Sequence, residues 1–264
     1  MNDEQLIKLQ SWFNTYVAGF YGDDRYINAN IRLKDDHSRR VCNEMLYLAG
    51  ELKLQPNQRL LAETIALFHD IGRFEQFKKF QTYHDPRSIN HCLLGVQILR
   101  QMKVLDDLIP AERQLVEQAI EYHGAKDLPP NLAGDCLLYS QMIRDADKLD
   151  IFYVMTVNYK RHKEDPENFD LEVELPDEPR CTPEILEAIL AEQKIDYAKL
   201  QTWNDMKLCN LTWVYDVNFV PTLKCIRQKR YIELILEFLP DTPDIRNAAR
   251  TVLAYIDSRI KSGR

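Results

Sequence analysis

The chain has 264 residues, enough to bury a sizeable core as one large domain or as a domain with an appendage. A net charge of −7 argues against general nucleic-acid binding, which needs a basic footprint, but leaves room for a local basic pocket that takes a phosphate. With 45% hydrophobic and 28% charged residues, and no apolar run near the roughly 18–20 residues of a membrane span, it reads as a soluble globular protein.

Only 8 glycines are present, which favours helices over a turn-rich β-fold. Asp3 and Glu4 stand where a signal peptide would place cations, so a cytoplasmic location is expected. Cys42, Cys92, Cys136, Cys181, Cys209 and Cys225 are scattered without a Cys-x-x-Cys. They read as reduced thiols rather than as a disulfide frame or zinc knuckle.

Residues 2–20 are helix-like, with Leu6, Leu9, Phe13 and Val17 on one stripe. Residues 21–36, with Gly22, two Asp pairs and several Asn, read as a loop. Asp36-His37-Ser38 opens the next expected helix, whose apolar face carries Val41, Met45, Leu48 and Leu52. His37 at its start reads as a cap or as a group facing what the loop encloses.

Gln55-Pro56-Asn57 leads into a helix striped by Leu60, Leu61, Ile65, Leu67 and Phe68, which ends at His69-Asp70 with Gly72 placed to stop it. A carboxylate there is either solvated at a helix end or, if buried, in need of a partner such as a metal ion. Residues 73–88 read as a loop or broken short helix. A helix over about 88–103 turns His91 inward with Leu94, Gly95, Ile98 and Met102. Another, over about 111–123, ends with His123 on its apolar face and Gly124 as its stop. Each inward histidine alone is as consistent with a hydrogen-bonded core residue as with a ligand.

A helix over about 135–160 carries Asp145, Asp147 and Asp150. Asp145 and Asp147 lie about 200° apart on a helical wheel, so one of the two faces a given partner. Residues 161–182 form an acidic, proline-bearing excursion, and Thr182-Pro183-Glu184 starts a C-terminal helical region over 183–264. Trp203, Trp213, Tyr215 and Phe219 there read as packing, and Thr242-Pro243-Asp244 opens the last helix. No internal repeat, heptad array, Gly-rich phosphate loop or Gly-x-Ser-x-Gly elbow is found.

His69-Asp70-Ile71-Gly72, preceded by His37 and followed by His91, His123 and Asp145-Ala146-Asp147-Lys148-Leu149, resembles the HD-domain superfamily of metal-dependent phosphohydrolases. Order and spacing match over roughly residues 30–155. The stretch from Phe68 through His91 also looks like a largely uncharacterised stand-alone branch of that superfamily. The resemblance implies an all-α, HD-like multi-helix bundle over residues 1–160 with the C-terminal helical region packed on it. It implies His37, His69, Asp70 and Asp147 as ligands of one metal, Asp147 being favoured over Asp145 by the family's Ala-Asp-x-Leu register. It implies His91 and His123 as ligands of a second metal in two-metal members, with Asp70 as the bridge and the central catalytic group. Such a donor set suits Mn, Fe, Co, Ni, Zn or, less well, Mg. The implied reaction is attack of metal-activated water on the phosphorus of a nucleotide or other small phosphorylated metabolite. Arg73 and Lys148 are candidate phosphate contacts. The Gly-Tyr-Pro segment of the cyclic-dinucleotide branch is missing. Two alternatives stay open: a di-iron oxygenase on the same fold, and a non-catalytic metal-binding sensor or partner-binding protein.

Overall fold

A computed structural model describes residues 1–165 and 175–263. Among the described residues there are twelve α-helices, three short 3-10 turns and no strand. The helices are α1 (Asp3–Ala18), α2 (Arg25–Glu51), α3 (Pro56–Phe68), α4 (Ile71–Phe80), α5 (His91–Gln101), α6 (Pro110–His123), α7 (Gly134–Glu164), α8 (Pro183–Leu190), α9 (Trp203–Thr212), α10 (Val220–Gln228), α11 (Tyr231–Leu236) and α12 (Pro243–Ser262). The expected all-α architecture is therefore what forms. Among the described residues no helix is long and apolar enough to cross a membrane. The chain divides into two compact units, Met1–Asp147 and Lys148–Arg264, with the division inside α7. Part of the acidic stretch expected as an excursion, residues 166–174, lies outside the described residues, and α7 runs on through Glu164.

In the first unit α1 packs on α3, and α3 packs on α2 and α6. Phe13 of α1 is fully buried and meets Phe68 and Phe74 edge-on, each with ring centroids 6.0 Å apart. Each such ring contributes about 1.5–3 kcal/mol of burial. Helix α2 begins at Arg25, so the loop expected over 21–36 is mostly helix. Asp24 caps it by accepting from the N–H groups of Tyr26 and Ile27, and Ile31 is fully buried on its inner face. Asp23 and Asp24 precede the helix, while Asn28, Asn30, Asp35 and Asp36 lie within it at half-buried or exposed positions, their weak helix propensity overridden by packing. His37 therefore sits mid-helix rather than at a helix start.

Gly72 is not a helix stop. α3 ends at Phe68, His69 and Asp70 make the corner, and α4 restarts at Ile71 with Gly72 in its first turn. A Cβ on Gly72 would lie 2.2 Å from the His91 carbonyl oxygen and 2.8 Å from the Gly95 nitrogen. A Cβ on Gly95 would meet Ile71 Cγ2 at 3.1 Å. These two glycines let the backbones of α4 and α5 touch, and that contact brings Asp70 and His91 together. The segment expected as a loop over 73–88 resolves into α4, a left-handed cap at Gln81 and a 3-10 turn at Asp85–Arg87. Helix α5 starts at His91, capped by Asn90.

The second unit has its own apolar core. Phe152 stacks on Tyr231 at 5.9 Å and meets Trp213 edge-on at 5.9 Å, among Leu208, Leu211, Val214, Ile226, Ile232 and Val252. Trp203, Trp213 and Tyr215 take part in this packing. Thr182 precedes α8, but its hydroxyl donates to buried Asp205 at 2.6 Å instead of capping the helix. Asp205 also accepts from the backbone N–H groups of Thr182, Gln201 and Thr202. A buried carboxylate with this many donors is fully compensated and structural.

Candidate metal centre

Every residue at this centre belongs to the first unit. His37 comes from α2, His69 and Asp70 from the α3–α4 corner, His91 from the start of α5, His123 from the end of α6 and Asp147 from α7. His37, His69, Asp70, His91 and His123 are all buried.

Asp70 stands between two histidine pairs. On its Oδ2 side, His37 Nε2 is 3.2 Å from His69 Nε2, and these lie 3.5 and 3.8 Å from Oδ2. Asp147 Oδ1 closes that side, 3.2 Å from His37 Nε2 and 3.9 Å from His69 Nε2. On the Oδ1 side, His91 Nε2 is 3.2 Å from His123 Nε2, and these lie 3.4 and 3.6 Å from Oδ1.

The opposite ring nitrogens determine what faces inward. His69 Nδ1 is 2.7 Å from the Ala66 carbonyl, and His123 Nδ1 is 2.7 Å from the Ile120 carbonyl. His91 Nδ1 is 2.6 Å from Asp85 Oδ2. Carbonyls and carboxylates only accept, so each of these Nδ1 atoms carries its proton and donates. In the neutral rings each Nε2 then presents a lone pair. The centre thus turns imidazole nitrogens toward one another and toward carboxylate oxygens, an arrangement that needs a cation, proton or metal, between them. Outer partners of this kind are what orients metal-binding imidazoles. The donors present fit a divalent cation on each side of Asp70.

The electrostatics show the same need for a cation: burial opposes charge on His123, but Cys92 and Asp70 raise it well above the ordinary imidazole range, so without a metal this ring holds a proton. Burial pushes the imidazole of His69 down to about 4 against the pull of Asp70 and Asp147, which keeps its lone pair available. Asp70 is held well below the usual carboxylate range: burial opposes its charge, but Lys34, His69 and Arg73 outweigh it. Asp147 is likewise lowered, burial being overcome by its hydrogen bond and attraction to His37. Asp85 is brought down to about 2, where His91 and Arg73 outweigh burial.

The other sequence candidates fall as follows. Asp147, the carboxylate that the resemblance favours, keeps about a fifth of its side chain accessible (21%), while Asp145 is fully buried. The carboxylate that stands against His37 and His69 is Asp147. Nη1 of Arg73 donates to Gln76 Oε1, the Tyr83 carbonyl and Asp85 Oδ1, and its Nε lies 3.4 Å from Asp70 Oδ1. Lys148 makes a 2.9 Å ion pair with Asp216 in the second unit. Three neighbours were missed in the sequence. Lys34 donates to Asp70 Oδ2 at 2.9 Å. It lies one helical turn before His37, a signal available only once α2 is known to extend that far back. Asp85 orients His91 from six residues upstream. Cys92 places Sγ 3.4 Å from His91 Nε2 and 3.9 Å from His123 Nε2. Burial opposes charge on Cys92, yet His123 and His91 bring the thiol down to about 6.

Compared with known families, residues 35–151 match the family model described as the HD domain. Over that segment the chain is similar to HD domains. The matched segment contains Asp70 and the five residues around it and corresponds to the resemblance carried by His37, His69-Asp70 and Asp147. HD domains bind divalent metals, and most are metal-dependent hydrolases. No curated protein and no solved structure matches the chain significantly.

Proposed function

We propose that this chain is a metal-dependent phosphohydrolase acting on a nucleotide or other small phosphorylated metabolite. The observation that carries the proposal is Asp70: each of its two oxygens faces its own histidine pair, and the Nδ1 hydrogen bonds of His69, His91 and His123 turn their Nε2 atoms inward. His37, His69, Asp70 and Asp147 would hold one ion, and His91, His123 and Asp70 a second. A divalent cation in this setting supplies Lewis acidity and lowers the pKa of a coordinated water to near neutrality.

The protein's own groups do the rest. Asp70, ionised through its cationic neighbours, holds the two sides in fixed relation. Asp85 and the Ala66 and Ile120 carbonyls keep the imidazoles in one tautomer and orientation. Lys34 reaches the centre with its side chain still partly accessible (18%), so it can turn from Asp70 to an incoming phosphoryl oxygen. Arg73 is committed through Nη1 to Asp85 and Tyr83 and acts on the phosphate mainly through its charge. Lys148 is engaged by Asp216, so Lys34 takes the anion-binding role first given to it.

The test is metal quantification on purified protein, followed by a phosphate-release screen over nucleotides and sugar phosphates with added Mn²⁺. Phosphate release that disappears in Asp70→Ala supports the proposal. Oxygen consumption by iron-loaded protein without phosphate release would replace it with an oxidative reaction at the same donors.

A further inference from the structure

Cys92 is the one donor near Asp70 that hydrolysis does not use. Its side chain is buried, and its Sγ lies against both histidines of the Oδ1 side. His91 Nε2, His123 Nε2 and Cys92 Sγ therefore form a set of three that could hold a metal ion, with Asp70 Oδ1 against both nitrogens. The five separations that involve the nitrogens are 3.2 Å between them, 3.4 and 3.6 Å to the oxygen, and 3.4 and 3.9 Å to the sulfur. A tetrahedral zinc with nitrogen and oxygen donors at about 2.0–2.1 Å and sulfur at about 2.3 Å has edges of about 3.3–3.6 Å. These five separations lie within a few tenths of an ångström of that range. A second observation concerns the room left for the thiol. A Cβ on Gly124, just past His123, would lie 2.7 Å from Cys92 Sγ and 3.3 Å from His91 Cε1. Only glycine there lets the sulfur sit beside the two rings.

We propose that Cys92 completes the Oδ1 side as a two-histidine, one-aspartate, one-thiolate centre that selects zinc or another thiophilic divalent ion. The two sides of Asp70 then differ in kind. The Oδ2 side has only nitrogen and oxygen donors and suits harder ions. The Oδ1 side, with four protein donors, is closed in the manner of structural zinc sites, while open positions for water and substrate remain on the other side. This inference rests on reading the cluster as a metal centre, not on the identity of the reaction.

The full-length protein loaded with zinc should show a zinc-edge absorption spectrum with a Zn–S shell at about 2.3 Å. Loaded with cobalt(II), it should show a thiolate-to-cobalt charge-transfer band in the near ultraviolet. Cys92→Ser should abolish both signals and raise the dissociation constant of one zinc by at least about tenfold, the effect that losing even an outer partner produces. Cys42→Ser, a buried cysteine on α2, should change neither. Nitrogen and oxygen shells alone in wild-type protein holding two metals would overturn the assignment, and so would a band that survives in Cys92→Ser. The wild-type spectra decide the matter even if Cys92→Ser fails to fold. Sulfur ligation without phosphate release would sink the hydrolytic proposal alone. Phosphate release with no sulfur shell would sink the Cys92 assignment alone.

Discussion

The two histidine pairs are built by the same local device yet differ in their surroundings. In each, the partners are 32 residues apart, and the second histidine closes a helix with Nδ1 donating to the carbonyl three residues back. The His37–His69 pair has Asp147 as its extra donor and Lys34 close by. The His91–His123 pair has Cys92 beside it and Asp85 behind it. Like geometry with unlike neighbours means that the pairs are told apart by charge and softness rather than by shape.

The harshest test of this comparison is to remove what the pairs share. Asp70→Ala should empty both sides of metal and lower kcat/KM by at least about 10³-fold, more than the 10- to 100-fold expected for an outer partner. Metal analysis and phosphate release measure it together. If Asp70→Ala retained two ions, Asp70 would not be the shared donor.

Next come changes to one side only. Asp147→Asn should reduce metal on the Oδ2 side while leaving the His91–His123 side loaded. Asp145→Asn should keep both ions and instead destabilise the fold by about 1–3 kcal/mol, read from thermal or urea unfolding, because Asp145 is fully buried. The opposite outcome would exchange the roles of the two carboxylates.

A smaller effect is expected from Asp85→Ala. It removes only the acceptor behind His91, so metal affinity on the Oδ1 side should fall about 10- to 100-fold with the Oδ2 side unchanged. Equal losses on both sides, by competition with a chelator, would show that the pairs are not independent. The smallest change is Lys34→Met, which should leave metal content intact and raise KM about tenfold, the low end for losing a charged hydrogen bond. Unchanged KM would remove Lys34 from substrate binding.

His69, Asp70, His91 and His123 were visible in the sequence because each ends or lines an apolar stripe, a costly place for a polar group without a partner, whereas His37 and Asp147 were visible through the family resemblance. What was not visible came from packing. Asn- and Asp-rich residues before His37 looked like a loop, yet most of them lie within α2 at half-buried or exposed positions, and Lys34 was hidden with them. Asp85 and Cys92 act through space on His91, and no helical periodicity marks such contacts. The equal 32-residue spacing of the pairs was on the page, but as two isolated histidine intervals in otherwise dissimilar sequence it did not read as a repeat. Gly72 was noticed for a conformational reason, as a helix stop, when its role is steric.

That steric role bears on any attempt to transplant this centre. A scaffold designer copying the six histidine and aspartate side chains onto another helical bundle would begin with ordinary helix spacings of about 8–10 Å. At that separation the α4 and α5 backbones do not touch as they do across Gly72 and Gly95, and Asp70 no longer spans both pairs. The two glycines carry no donor atom, yet a graft that omits them inherits the ligands without the distance between them.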